Sequence, residues 1–201
     1  MPKLLLATTN QKKLAELRTL IAGLGLDVIC LADLPSHEEV PETGHTFAEN
    51  ASLKAAGYAR QAGLLTLADD SGLCCDALNG EPGVYSARFS GPDKDDHANN
   101  LKILELLEAV SDERRGAHFT SAVALAGPDQ LIGVVEGHVH GMISREILGD
   151  GGFGYDPLFF YPPYGKTFGQ VPADLKHKIS HRAVALEKAK QLLTAYLKTL
   201  D

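Results

Sequence analysis

The pattern of apolar and polar positions switches repeatedly between strand and helix periods. Lys3 to Thr8 is a short apolar run ending in hydroxyls, which reads as a first strand. Asn10 then offers an N-cap. Leu14, Leu17 and Ile21 follow at helical spacing until Gly23 and Gly25 stop the helix. A second strand covers Asp27 to Leu31, and Pro35 to Gly44 is a polar, acidic loop. Thr46 with Glu49 matches a capping box, opening an alanine-rich helix that runs to Gln61 and closes at Gly63. Leu64 to Ala68 is a buried strand that ends in Asp69, Asp70, Ser71 and Gly72. After a loop from Gly80 to Gly91, Asp95 to Val110 reads as a helix with Leu101, Leu104 and Leu107 on one face. Two β-rich segments, His118–Ala126 and Leu131–His140, are joined by Gly127-Pro128-Asp129-Gln130, a hairpin signal. Gly149 to Pro172 is rich in glycine and proline around a short strand at Leu158–Tyr161, and Ser180 to Leu197 is a final helix. Strand followed by helix from the first residues predicts an α/β protein.

Composition narrows the picture. A chain of 201 residues predicts one large domain or two intimate lobes. A net charge of −7 argues against nucleic-acid and membrane partners, so an anionic substrate needs a local cluster of cations and amides. No stretch approaches the ~20 apolar residues of a membrane span, and the N-terminus lacks a signal-peptide pattern. Cys30, Cys74 and Cys75 suit neither a disulfide framework nor a zinc site. The adjacent pair is expected to pack as small apolar residues. A cytoplasmic location is expected.

Carboxylates at the end of an apolar strand are costly unless they meet water, a cation or a metal. In an extended chain Asp69 and Asp70 point to opposite sides, so one serves a site and the other makes structural hydrogen bonds. Alone, this acidic run reads as an ordinary turn. Basic residues in awkward places change that reading. Thr8, Thr9, Asn10, Gln11, Lys12 and Lys13 lie where strand becomes helix, and His181 and Arg182 occupy the first turn after the Ser180 cap. Lys176 and Lys178 stand just before that cap. Cations at a positive helix end are mildly unfavourable unless an anion sits there. Lys54, mid-helix among alanines, can point to the same place. Gly149-Asp150-Gly151-Gly152-Phe153-Gly154 formally matches a dinucleotide fingerprint, but Pro157, Pro162 and Pro163 forbid the helix that must follow. The same glycines suit a loop approaching a ligand, with Phe153 stacking on a flat ring and Asp156 accepting hydrogen bonds. Together these features describe a nucleoside triphosphate and metal site.

The ordered set Thr8-x-Asn10-x-x-Lys13, Glu42-Thr43-Gly44-x-Thr46-Phe47-x-Glu49-Asn50-Ala51, Ala68-Asp69-Asp70-Ser71-Gly72, Pro82-Gly83-Val84-Tyr85-Ser86-Ala87-Arg88, Gly152-Phe153-Gly154-Tyr155-Asp156-Pro157 and Ser180-His181-Arg182 resembles the non-canonical purine nucleoside triphosphate pyrophosphatases, the inosine/xanthosine triphosphate pyrophosphatase family. The resemblance spans nearly the whole chain; Thr9 departs from it, since many relatives carry glycine there. It implies an α/β fold in which a long, twisted mixed sheet with flanking helices forms two lobes around a central cleft, within a single domain over 1–201. It also implies a homodimer and magnesium-dependent hydrolysis of ITP, dITP and XTP to the monophosphate and pyrophosphate. By position, Thr8, Thr9, Asn10, Gln11, Lys12, Lys13, Lys54 and Lys176 would hold the phosphates. Asp70 would be the catalytic carboxylate and a Mg²⁺ ligand, and Ser71 would touch substrate. Glu42 would be the second acidic ligand, with Glu38 and Glu39 of the same loop as alternatives. Phe153, Gly154, Tyr155, Asp156, His181 and Arg182 would form the base pocket.

Arg182 is always a donor, so it can bond the 6-carbonyl of hypoxanthine or xanthine but not the amine of adenine. The nearest rival reading is a pyrophosphatase for a modified pyrimidine. A nucleotide sensor without catalysis is disfavoured by the intact Asp70, and an oxidoreductase built on the glycine pattern is disfavoured by the same prolines.

Overall fold

In the computed structural model, residues 2–9 and 11–199 are described, with only the backbone of residues 11–13, 16 and 20. Seven strands form one mixed sheet in the order β2-β1-β3-β4-β5-β6-β7: β1 Lys3–Leu6, β2 Asp27–Cys30, β3 Leu65–Cys75, β4 Gly116–Ala126, β5 Leu131–Ile143, β6 Phe159–Tyr161 and β7 Lys166–Thr167. β1 lies parallel to both β2 and β3, whereas β6 pairs antiparallel with β5 and β7. Among the described residues five helices accompany the sheet: α1 Gln11–Ile21, α2 Phe47–Ala62, α3 Asp96–Leu106, α4 Ala173–Ile179 and α5 His181–Leu197.

The chain divides into two compact units. The first comprises Met1–Asp70, Ser121–Gly137 and Val184–Asp201; the second comprises Ser71–Thr120 and His138–Ala183. Leu14, Leu17 and Ile21 of α1 are buried, as their spacing requires, in the first core with Leu4, Leu6, Leu67, Leu125, Leu186 and Leu193. The second core gathers Leu73, Ile103, Leu107, Phe119, Phe159 and Phe168. The Phe119 ring lies 4.6 Å from that of Phe159, which in turn lies 5.0 Å from that of Phe168.

Local signals set several boundaries. At α2, Thr46 Oγ1 accepts from the Glu49 N–H at 3.1 Å, and Glu49 Oε2 accepts in return from the Thr46 N–H at 3.2 Å. Gly63 ends the helix at φ 65°. α3 starts one residue later than expected, because Asp95 is its cap, accepting from the N–H groups of His97 and Ala98. Its buried apolar residue is Ile103, joined by Leu107 at its C-cap, whereas Leu101 is 49% exposed. At about 100° per residue, Leu101 lies about 120° around the helix from Leu107, so the two cannot share a narrow buried stripe. Neither α4 nor β7 was foreseen. The glycine run from Gly149 opens turns rather than a helix, and β6 follows. Cys30, Cys74 and Cys75 are free thiols, and burial pushes that of Cys75 up to about 12. No helix among the described residues is long and apolar enough to cross a membrane.

Candidate active site

The acidic run lies inside β3, not at the end of a strand. Apolar patterning resumes after Gly72 with Leu73 and Cys75, 0% and 1% exposed, so stopping at Ala68 would forfeit their burial. Gly72 permits the passage, since a Cβ there would lie 2.2 Å from Ser86 Oγ. Ser86 Oγ also accepts from the Leu73 N–H at 2.9 Å. The extended backbone sends neighbouring side chains to opposite faces: Asp69 is buried, whereas Asp70 is half-buried.

Asp70 meets two residues of α2. Asn50 Nδ2 donates to Asp70 Oδ2 at 3.2 Å, and Lys54 Nζ stands 3.8 Å from Asp70 Oδ1. These α2 residues are four apart and share a helix face. Asn50 is itself fixed, being 1% exposed and accepting from the Gly44 N–H at 2.8 Å. Lys54 also donates to Glu42 Oε2 at 3.1 Å. One ammonium therefore lies between the carboxylates of Asp70 and Glu42. Glu38 is placed differently: its backbone exchanges hydrogen bonds with the Gln61 side chain, nearly two turns farther along α2 than Lys54. Glu39 is exposed, and Glu42 is the loop carboxylate that the structure joins to Lys54, and through that ammonium to Asp70.

The β1–β3 register pairs Leu6 with Leu67, and the Ala7 N–H donates to the Leu67 carbonyl at 2.8 Å. The Thr8 N–H turns back to the Leu6 carbonyl at 2.9 Å, so the chain leaves the β1 ladder just past Ala7. Thr8 is half-buried and Thr9 exposed. Asn10 lies outside the described residues, as do the side chains of Gln11, Lys12 and Lys13.

A second cluster assembles around the glycine-rich loop. Ser180 caps α5, accepting from the Ala183 N–H at 3.2 Å, so His181 and Arg182 do occupy a first helical turn. Both are buried. Arg182 Nη2 donates to Ser71 Oγ at 3.3 Å, and its guanidinium lies 5.4 Å from the Phe153 ring centre. The His181 ring stacks on Phe119 at 4.7 Å. Asp156 Oδ2 accepts from the Phe153 N–H at 2.7 Å and from the Lys176 ammonium. A Cβ at Gly152, whose φ is +77°, would lie 2.1 Å from that same carboxylate oxygen. Burial pushes the Asp156 carboxyl upward, and the Lys176 ammonium, the Phe153 N–H and Arg182 oppose it. Lys176 also lies 4.7 Å from the Phe153 ring centre.

Three placements differ from those expected. Lys176 and Lys178 sit in the last turn of α4, where the negative helix end favours them, rather than crowding the start of α5. Lys176 moreover joins the residues assigned to the base, not a phosphate group, because its ammonium neutralises the buried Asp156. Tyr155 turns its ring into the second core, 4% exposed, with its hydroxyl donating to the Ser86 carbonyl at 2.7 Å. Only its backbone remains for a ligand. Sequence alone gives Asn50 no role; its i, i+4 spacing to Lys54 is the one sign of it.

The fold and these clusters define an α/β protein that sets paired carboxylates and a lysine beside Asn50, and an aromatic ring beneath buried cations. The chain belongs to the Ham1 family, whose model matches residues 4–192. It is 50% identical over 191 residues to a dITP/XTP pyrophosphatase of Desulforamulus reducens, covering 95% of each chain. It is 46% identical over 188 residues to the dITP/XTP pyrophosphatase of Listeria monocytogenes, covering 94% of this chain and 93% of that one. Among solved structures, a HAM1 protein from Coxiella burnetii superposes with a TM-score of 0.89 at 40% identity, over 97% of this chain and 100% of the other.

Proposed function

We propose that this chain, acting as a single domain over 1–201, cleanses the nucleotide pool of aberrant purine triphosphates. It is a nucleoside triphosphate pyrophosphatase that hydrolyses ITP, dITP and XTP to the monophosphate and pyrophosphate. The observation that carries the site assignment is the Glu42–Lys54–Asp70–Asn50 cluster. Asp70 is the catalytic carboxylate, accepting a proton from the attacking water or orienting it. Asn50 holds one of its oxygens and leaves the other toward Lys54. Lys54 neutralises charge on the phosphoryl oxygens, and Thr8, Thr9, Asn10, Gln11, Lys12 and Lys13 hold the remaining phosphate groups.

The donor set fits magnesium. Two carboxylates that already share one cation supply the hard oxygens Mg²⁺ takes, and this ion draws its other ligands from water and substrate phosphates. Bound by Asp70 and Glu42, it would offset charge developing on the phosphoryl and leaving-group oxygens. Such a site needs no larger protein cage. Among the described residues no group of three or more His, Cys, Asp or Glu side chains is placed to hold a metal.

Base recognition belongs to Phe153, Asp156, Lys176, His181, Arg182 and Ser71, with the backbone of Gly154 and Tyr155. Phe153 stacks on the purine, and Arg182 and Lys176 supply donors to a carbonyl edge that adenine lacks. A cytoplasmic homodimer completes the proposal, the three free thiols supporting a reducing compartment. The experiment is pyrophosphate release from ITP, dITP, XTP, ATP and GTP with and without Mg²⁺. Rapid, Mg²⁺-dependent turnover confined to the first three is expected. A preference for ATP, or for a modified pyrimidine triphosphate added to the panel, overturns the reading.

A further inference from the structure

α3 carries polar groups that this function leaves unused. Asn99 and Asn100 are adjacent, 1% and 4% exposed, and neither is among the residues assigned to substrate. Asn100 Nδ2 donates to the carbonyls of Asp96 and Gly154, at 2.7 and 2.8 Å. The Gly154 N–H donates to Asp96 Oδ2 at 2.7 Å. Both backbone groups of Gly154, the residue after Phe153, are thus held by side chains one helical turn apart.

Asn99 grips the neighbouring segment. Its Oδ1 accepts from the Ser90 N–H and hydroxyl, each at 2.7 Å, and its Nδ2 donates to the Ala87 carbonyl at 3.2 Å. Ala87 lies in a 3-10 helix over Gly83–Arg88 that also includes Ser86. Ser86 accepts from Tyr155, the residue after Gly154. A closed polar circuit therefore runs from Asn100 to Gly154, Tyr155, Ser86, Ala87 and Asn99, and back into α3. The circuit has a cost. Asn100 Oδ1 is buried with no hydrogen-bond partner, since the amide is turned to present both of its N–H groups. An alanine-rich or leucine-rich helix face would avoid that cost, so an asparagine here is explained by what its two donors hold.

We propose that Asp96 and Asn100 are positioning residues for base recognition, setting the height and tilt of Phe153 by fixing both backbone groups of Gly154. The inference rests on the assignment of Phe153 to the base. Neither residue is among those assigned to touch substrate. Loosening Gly154 lets Phe153 and Asp156 drift from the base, while the Asp70–Lys54 phosphate chemistry has no part in the circuit.

The test uses the full-length protein and three variants, Asp96→Ala, Asp96→Asn and Asn100→Ala, with thermal melting to verify folding. Steady-state kcat and KM are measured for ITP, and inorganic tripolyphosphate serves as a base-free competitive inhibitor. Asp96→Ala is expected to raise the KM for ITP about tenfold, the equivalent of one charge-assisted hydrogen bond. The tripolyphosphate inhibition constant should stay within about twofold of wild type on the same reasoning. Asp96→Asn keeps an acceptor oxygen at that position and should recover most of the ITP affinity. Asn100 is buried, so its alanine variant can fail to fold; Asp96 is exposed, and its variants alone decide the matter. An ITP KM unmoved in Asp96→Ala overturns the inference. So does a rise in the tripolyphosphate constant by the same factor as the KM, which would mark a merely structural role. If the wild-type enzyme releases no pyrophosphate from ITP, the functional reading falls and takes the inference with it. Normal wild-type turnover with an unmoved variant overturns the inference alone.

Discussion

Asp70→Asn separates catalysis from stability, because the structure supplies a reason for each to respond differently. The amide keeps the shape of the carboxylate and can still accept from Asn50 Nδ2, 3.2 Å away in the wild type. The charge lost stood 3.8 Å from Lys54 Nζ, with the Asp70 side chain 14% exposed. Coulomb attraction at that distance is about 1 kcal/mol in a water-like medium and about 4 kcal/mol at a dielectric constant near 20. Little of it should appear as lost stability, because Lys54 keeps Glu42 at 3.1 Å and is not left as an unpaired charge. A loss of about 1 kcal/mol would lower the melting temperature by about 2–4 °C in a chain of this length. Turnover should respond far more. Removing a carboxylate that handles the attacking water costs about 10²- to 10⁴-fold, or about 3–5 kcal/mol of barrier. The assay is pyrophosphate release from ITP under saturating Mg²⁺, with thermal melting on the same samples. Asp69→Asn is the contrasting control, since Asp69 is 4% exposed and its defect should fall on stability. Asp70→Asn turnover within tenfold of wild type would refute the assignment.

Phe153→Ala should lower kcat/KM for every purine triphosphate by a similar factor, because stacking is worth about 1–3 kcal/mol and tolerates any ring. Arg182→Ala should instead compress the preference for ITP over ATP, and an unchanged ratio would move base reading to Lys176 or Asp156. Arg115→Met should destabilise the protein by about 3 kcal/mol or more, measured by urea denaturation. Its buried guanidinium donates to the carbonyls of Ile143, Leu107 and Ser144 at 2.9, 2.6 and 2.9 Å, and methionine would strand all three. His118→Gln should flatten the loss of stability toward acid pH. Burial, with His140 and His138 nearby, holds the His118 pKa below 6.5 despite Asp76. Between that lowered value and 6.5 the unfolded chain binds more protons, so wild-type stability rises with pH across the window. An identical pH slope in the variant would show that His118 does not contribute.

Much of this molecule was legible locally. The Thr46–Glu49 capping box, the Ser180 cap and the apolar stripe of α1 are decided by residues within one or two turns of one another, and each is seen as read. The acidic pair of β3 was legible too, because alternation along an extended chain obliges Asp69 and Asp70 to face opposite ways. What escaped depends on partners distant in sequence. Asn50 acquires its meaning from Asp70, twenty residues on, and Lys176 from Asp156, twenty residues before it. The length of β3 depends on burial of Leu73 and Cys75, and the inward turn of Tyr155 on a carbonyl at Ser86. Periodicity and capping report the chain's own neighbourhood, where a few tenths to about one kcal/mol per position set helix and strand. The fate of a buried charge or amide is set by larger desolvation costs, which only a specific partner across the fold can offset. The residue types of the site were therefore already visible in one dimension, while the pairing of each polar group required three.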